Sequence, residues 1–191
     1  MNHREFFDKL ADCWDEERDG EEIKKICELI QAIKINEDEL ILDAGCGTGV
    51  LFPFFKNNKI IAIDISFNML KKARDKSPRR SNLIQADIHD LPFDNEIFDR
   101  AVLYAVFPHL SDKPAALLEL NRTLKPRGRI NIIHSSSRDE INRFHQEVGG
   151  VIGHDLIPDQ GEMVDLMEDA GFKDIEILDL PDRYLATGIK T

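Results

Sequence analysis

The stretch Leu40-Ile41-Leu42-Asp43-Ala44-Gly45-Cys46-Gly47-Thr48-Gly49 constrains this chain more than any other. A short apolar run, which reads as a buried strand, passes directly into glycines at alternate positions. Glycine permits positive φ, and it lets backbone approach a ligand that a Cβ would push away. A dinucleotide fingerprint has the spacing G-x-G-x-x-G, with its last glycine packing the following helix. Here Gly49 stands where that pattern takes any residue and Val50 where it takes glycine, so the spacing disfavours NAD. Asp43 adds a carboxylate at the strand's end, which repels a pyrophosphate and welcomes a cationic group.

From residue 39 onward short apolar runs alternate with amphipathic segments. Leu40–Leu42, Ile60–Ile63, Leu83-Ile84, Ala101–Tyr104 and Ile130–Ile133 read as strands. Between them lie helix candidates at Ser66–Lys76, capped by Ser66, and at Asp112–Leu124, capped by Asp112 with Pro114 in the first turn. The alternation implies a parallel sheet with helices on both faces. Ahead of it, Phe6, Phe7, Leu10 and Trp14, then Ile23, Ile26, Cys27, Ile30 and Ile33, recur at helical steps. After it come a helix from about Asp139 to Val148, a Gly149-Gly150 turn, a helix over Gly161–Ala170 ended by Gly171, and two closing strands, Ile175–Leu178 and Tyr184–Ile189. No repeat or linker divides the 191 residues, so a single domain is expected.

Two further carboxylates end strands on the glycine-loop side. Asp64 closes the second strand, where an α/β sheet presents an acceptor to ribose hydroxyls, and Asp87 follows the third. Three acidic strand ends around a glycine loop suggest an adenosine ligand carrying positive charge. The balance of 25 Lys and Arg against 36 Asp and Glu, net −11, argues against nucleic acid and anionic membrane surfaces. Only Lys71-Lys72-Ala73-Arg74 with Pro78-Arg79-Arg80 is basic. Cys13, Cys27 and Cys46 form no CxxC pair and no even set, which fits a reducing cytoplasm. The N-terminus has no apolar h-region and no run is long enough to span a bilayer, so a cytoplasmic protein is expected.

At these residues the chain resembles the class I S-adenosylmethionine (SAM) dependent methyltransferases of small-molecule type. The matching pieces are Asp43–Gly49, Ile63-Asp64-Ile65-Ser66, Gln85-Ala86-Asp87-Ile88, Phe98-Asp99-Arg100-Ala101-Val102 and Leu120–Arg129. The resemblance implies a Rossmann-like, doubly wound α/β sheet of seven strands, mostly parallel with an antiparallel last strand. It implies SAM as methyl donor, leaving S-adenosylhomocysteine. Gly45 and Gly47 would line the methionine part, Asp64 would bind the ribose, Asp87 and Ile88 the adenine, and Tyr104 would lie beside the sulfonium. Asp43, Cys46, Gly49, Ile65 and Met69 complete the expected cofactor-binding set.

The acceptor is read by elimination. The Asn/Asp-Pro-Pro-aromatic motif of amino-methylating nucleic-acid enzymes is replaced by Tyr104-Ala105-Val106-Phe107, no Pro-Cys nucleophile is present, and Cys13 and Cys27 lie in N-terminal helices. A small-molecule substrate remains, with a protein side chain as the outside alternative, for a monomer or homodimer. The alternative is a SAM-binding subunit or sensor that acts through a protein partner. Residues 1–38, as helices covering the site, and 135–160, as an insertion, are the segments free to define a substrate. If a base is needed, histidine has a suitable pKa. His134, His145 and His154 are the catalytic candidates, converging with Asp155 over the methyl group as a base and polar pocket or as a metal site, or else merely bonding neighbouring loops. Trp14, Phe107, His109 and Arg138 are placed for the acceptor, although Trp14 and Phe107 also fit plain packing. No HxH or HxxxH pair speaks for a metal, so none is expected.

Overall fold

The computed structural model describes residues 1–16, 19–77 and 81–191; Pro78, Arg79 and Arg80 of the basic run lie outside the described residues. In chain order the elements are α1 (His3–Leu10), α2 (Gly20–Ala32), β1 (Leu40–Ala44), β2 (Lys59–Asp64), α3 (Phe67–Lys76), β3 (Ser81–Gln85), β4 (Phe98–Tyr104), α4 (Lys113–Thr123), β5 (Leu124–His134), α5 (Arg138–Val148), α6 (Gln160–Asp169), β6 (Phe172–Leu180) and β7 (Arg183–Lys190). The strands form one seven-stranded sheet in the order β3-β2-β1-β4-β5-β7-β6. All neighbours from β3 to β5 pair in parallel, and β7 runs antiparallel to both β5 and β6. The order reverses between β1 and β4, which makes the carboxyl ends of those strands the place where such a sheet opens a crevice.

Strand periodicity divides the core into two layers. In β4, Ala101 and Leu103 pack with α4 (Ala116, Leu117, Leu120) and α6 (Met163, Met167) on one face. Val102 and Tyr104 point the other way, into a layer with α2 (Ile26, Leu29, Ile30) and α3 (Leu70, Ala73). Helices therefore cover both faces, as the alternating pattern predicts. The predicted caps are formed: Ser66 Oγ accepts from Met69 N at 3.1 Å, and Asp112 Oδ1 from Ala115 N at 3.0 Å. Replacing Asp112 by Ala should cost about 1 kcal/mol of stability in urea unfolding, because its side chain satisfies one of the orphan N–H groups of the first turn. Gly171 ends α6 at φ +89°, the left-handed conformation expected there.

Three segments differ from their sequence reading. The first helix stops at Leu10 and continues as turns with three-residue hydrogen bonds, Cys13 N to Leu10 O at 3.1 Å and Glu16 N to Cys13 O at 3.0 Å. Trp14 thus leaves the helix face shared by Phe6, Phe7 and Leu10. Following the glycine loop, the chain makes only a short 3₁₀ turn, Phe52–Phe54, with Pro53 at its start. The fifth strand begins directly after α4 at Leu124, well before the apolar run that marks it in the sequence, with a register shift against β4.

Candidate functional site

The carboxyl ends of β1, β2 and β4 meet the N-terminal segment around a cavity of about 210 Å³. The three loop glycines, at φ +77°, +52° and +81°, take separate duties. A Cβ on Gly45 would lie 2.4 Å from Val106 of the loop after β4, and one on Gly49 would lie 2.5 Å from the Phe52 ring. Those two are glycines for close packing. At Gly47 the nearest atom to such a Cβ is Trp14 Nε1 at 3.9 Å, so this residue faces open space and lines the cavity.

Asp64 holds the loop from the neighbouring strand. Its Oδ2 accepts from Gly47 N at 2.8 Å and its Oδ1 from Ser66 N at 2.8 Å. Burial raises its pKa to about 6, against the lowering effect of those two backbone donors. Asp43, directly under the loop, is 1% exposed, and neither carboxylate oxygen has a hydrogen-bond partner among the described residues. Burial, with the nearby Asp64 charge adding to it, raises the Asp43 pKa to about 8. Cys46 lines the cavity, but burial and the same two carboxylates push its thiol further up, so it offers no thiolate. Ile65, Met69, Ile88 and Tyr104 complete an apolar wall, with Asp87 at its rim. Burial raises the Asp87 carboxyl, yet the His89 backbone N–H at 3.0 Å and ring at 2.6 Å more than offset this and hold it below its usual value.

The N-terminal segment roofs the cavity. Asp8 on α1 accepts from Ser66 Oγ at 2.6 Å and Asn68 N at 3.1 Å, docking α1 on the start of α3. Phe7 stands edge-on to Trp14 at 5.6 Å and to His109 at 5.1 Å between ring centroids. Asp15 accepts from Thr48 Oγ1 at 2.7 Å and pairs with Lys76, pinning the Trp14 turn to the glycine loop.

A second chamber of about 500 Å³ adjoins the first, and the two share Trp14, Glu22, Tyr104, Ala105 and His109. Tyr104 donates to Glu22 Oε1 at 2.8 Å and bonds Ser135 Oγ at 3.0 Å. Beyond them the wall is Ser136 and one side of α5, including Ile141, Phe144 and His145.

Several sequence expectations need correction here. His134 lies in the second chamber's wall, but burial, and then the charges of His109 and His145, push its pKa down to about 3. It is 3% exposed and its Nε2 has no partner among the described residues, so it is a poor base at neutral pH. His145 reaches the same wall with Nδ1 directed to the Asp155 carbonyl at 2.5 Å. His154 is exposed and lines neither chamber, because the turns after α5 carry it outward. Phe107 is 0% exposed in the core with Lys113 over its ring, not in the acceptor space. Arg138 straps loops together, from Nε to Pro158 O at 2.9 Å and from its backbone N to Asp179 Oδ1 at 3.0 Å. Gly49 and Asp43 lie behind the cavity surface. Phe7 lines it from the N-terminal helix expected to cover the site, and Glu22 and His3, to which the sequence reading gives no role there, line it as well. Phe7 shares a helical stripe with Phe6 and Leu10, but no spacing in the sequence marks His3 or Glu22.

Comparisons with known proteins agree with this architecture. Residues 42–132 match the family described as "Methyltransferase domain". An uncharacterized protein of Methanocaldococcus jannaschii is 33% identical over 129 residues, 67% of this chain and 49% of that one. The ubiquinone/menaquinone biosynthesis C-methyltransferase UbiE of Proteus mirabilis is 26% identical, over 82% of this chain and 75% of its own length. The chain thus spans about half the length of the first relative and three quarters of the second. Among solved structures, a SAM-dependent methyltransferase of Thermotoga maritima superposes with a TM-score of 0.79 at 18% identity, covering 98% of this chain and 99% of that one. A methyltransferase of Haloferax volcanii, solved in complex with the Trm112 methyltransferase activator, gives 0.78 at 21% identity, covering 96% of both chains. Among the described residues no helix is long and apolar enough to cross a membrane. On its matched domain, its relatives and its fold, the chain belongs to the class I SAM-dependent methyltransferases.

Proposed function

We propose that this chain transfers the methyl group of SAM to a small molecule seated in the second chamber. The observation that carries the reading is the pair of adjoining cavities, one built on the glycine loop and the other between Trp14, Tyr104 and α5. The fit to SAM rests on this chain's own atoms. The Asp43 carboxyl is buried without a partner directly under the loop, where a cation in the cavity favours its ionised form through space, and a Cβ at Gly47 would project into the cavity. Asp64 spends one lone pair of each oxygen on backbone, leaving the others for ribose hydroxyls. Ile65, Met69 and Ile88 offer an apolar slot for the adenine, and Asp87 stands at its edge.

SAM, when bound, supplies a methyl carbon on a sulfonium that a lone pair of the acceptor displaces in line. The chain's contribution is positioning and exclusion of water. Phe7 and Trp14 close the roof, Tyr104 is fixed by Glu22 and Ser135 at the shared wall, and Trp14, Glu22, Ser136 and one side of α5 form the acceptor side. The relatives do not fix the acceptor's atom: one is named a C-methyltransferase of quinone biosynthesis, and another, from Halorhodospira halophila and 27% identical over 90% of this chain, an O-methyltransferase of malonyl-[acyl-carrier protein], whose acceptor is carried on a protein.

Ser136→Trp should fill the second chamber alone. We expect SAM affinity within about threefold of wild type and methyl transfer to any confirmed acceptor down by at least tenfold, since misplacing the reacting atoms by an ångström costs up to about 10²-fold. Transfer at the wild-type rate would contradict the placement of the acceptor. The second reading, a SAM-binding subunit working through a partner, draws on the Haloferax neighbour solved with an activator. Under that reading the purified chain binds SAM but methylates only when a partner protein is added.

A further inference from the structure

Outside the cofactor contacts, one cluster is drawn from three distant parts of the chain. His3 comes from α1, His109 from the 3₁₀ turn Phe107–His109 after β4, and Asp155 from the loop after α5. His3 Nε2 and His109 Nδ1 both lie 2.7 Å from the same oxygen, Asp155 Oδ2. The three candidate ligand atoms all lie within 4.8 Å of one another. We infer that His3, His109 and Asp155 bind one divalent transition-metal ion, with Zn²⁺ the best match, at the wall between the two chambers.

The donor set carries the argument. Two imidazole nitrogens and one carboxylate oxygen are the ligands of open, three-residue zinc sites, in which a fourth position is left for water or substrate. Zinc bonds to such atoms are about 2.0–2.2 Å long, so a tetrahedral ion sets neighbouring ligand atoms about 3.3 Å apart. The present 2.7 Å separations therefore need only a small outward pivot of the side chains. The set is largely sheltered, with side-chain exposures of 28% for His3, 14% for His109 and 12% for Asp155.

The surroundings hold the ligands in place. His145 Nδ1 donates to the Asp155 backbone carbonyl at 2.5 Å and fixes the loop that carries the carboxylate, so it is a positioning residue. Phe7 packs against the His109 ring at 5.1 Å. His3 and His109 both line the first cavity and His109 also lines the second, so the open position faces the acceptor side. An ion there would fasten α1 across the cavity mouth and place a Lewis acid beside the acceptor, where it would lower the pKa of an acceptor hydroxyl. The last point rests on the proposed function; the ion site itself does not.

The test is titration of tag-free, chelator-treated full-length protein with Zn²⁺, followed by calorimetry, by thermal melting and by the emission of Trp14, the one tryptophan. We expect one equivalent bound and a rise in Tm. Asp155→Asn and His109→Ala should each weaken binding at least 100-fold and abolish the Tm rise, whereas His154→Ala should bind as wild type. Far-UV circular dichroism of Asp155→Asn, nearly isosteric, shows that its loss is not unfolding. Absence of stoichiometric binding to wild type, or unchanged binding in folded Asp155→Asn, would overturn the site. A parallel SAM titration separates the two ideas: SAM binding without zinc binding removes only the metal, and zinc binding without SAM binding removes only the methyl-transfer reading.

Discussion

Asp64→Asn is expected to weaken SAM binding by about 10²-fold or more, the largest effect of any single substitution in the cavity. The carboxylate is 8% exposed and ties two segments together, accepting from Gly47 N on the loop after β1 and from Ser66 N at the head of α3. Asparagine keeps one oxygen acceptor and turns the other atom into a donor, which then faces a backbone N–H. One of the two anchors is lost, Gly47 is freed from its position beside the ligand, and a ribose hydroxyl loses a charged acceptor. Removing one partner of a buried, charge-assisted hydrogen bond costs roughly 2–5 kcal/mol, which sets the expected fold-change. Calorimetric titration of SAM into wild type and variant measures it, and a change under threefold would separate Asp64 from cofactor binding.

Asp43→Asn is expected to move stability and affinity in opposite directions. Burial raises the folded Asp43 pKa to about 8 from an ordinary 3.8, so the fold prefers the protonated acid. Its contribution to stability is fully present below pH 3.8, is lost at about 1.4 kcal/mol per pH unit as pH rises toward 8, and is constant above that. Asp64, raised to about 6, adds a loss of the same sign between pH 3.8 and 6. Asparagine has no charge to desolvate. The variant without SAM should therefore be a few kcal/mol more stable than wild type at pH 8, with a higher Tm, and should lose most of the decline between pH 6 and 8.

SAM affinity supplies the other half. A cationic ligand prefers the ionised carboxylate, so binding near pH 7 releases a proton from Asp43. Wild-type affinity should rise with pH, by up to tenfold per unit, and level off above pH 8. In Asp43→Asn that slope should vanish and affinity above pH 8 should fall below wild type. Titrations in two buffers of different ionisation enthalpy count the proton directly. A wild type with no proton release, together with a variant no more stable at pH 8, would show that Asp43 does not meet the cation.

Legibility in the sequence followed the range of the interactions. Strands, helices and caps at Ser66 and Asp112 depend on residues a few positions apart, and periodicity with cap chemistry located them. The antiparallel β7 came with the family resemblance. The glycine loop was visible as spacing, yet its division of labour was not: only the structure shows that Gly45 and Gly49 make room for Val106 and Phe52 while Gly47 faces the cavity. The roles of the histidines depend on the longest-range contacts. His134 was placed by its strand end, but its basicity depends on burial from elements far along the chain. His3 and Asp155 meet across 152 positions, a pairing that ligand-spacing rules of the HxxxH kind are unable to detect. His154 shows the reverse, since the residue adjacent to Asp155 in sequence is exposed and lines neither chamber.

The central claim is that the glycine-loop cavity holds the methyl donor and that the space beyond Tyr104 and His109 holds the acceptor. A crystal structure of the wild-type protein soaked with S-adenosylhomocysteine tests both parts at once. The account predicts one molecule against Gly47, with its ribose at Asp64, its adenine between Met69 and Ile88, and its sulfur at the wall shared by the two chambers. Density for the ligand at another place on the sheet, or with the sulfur turned away from Tyr104 and His109, would contradict it.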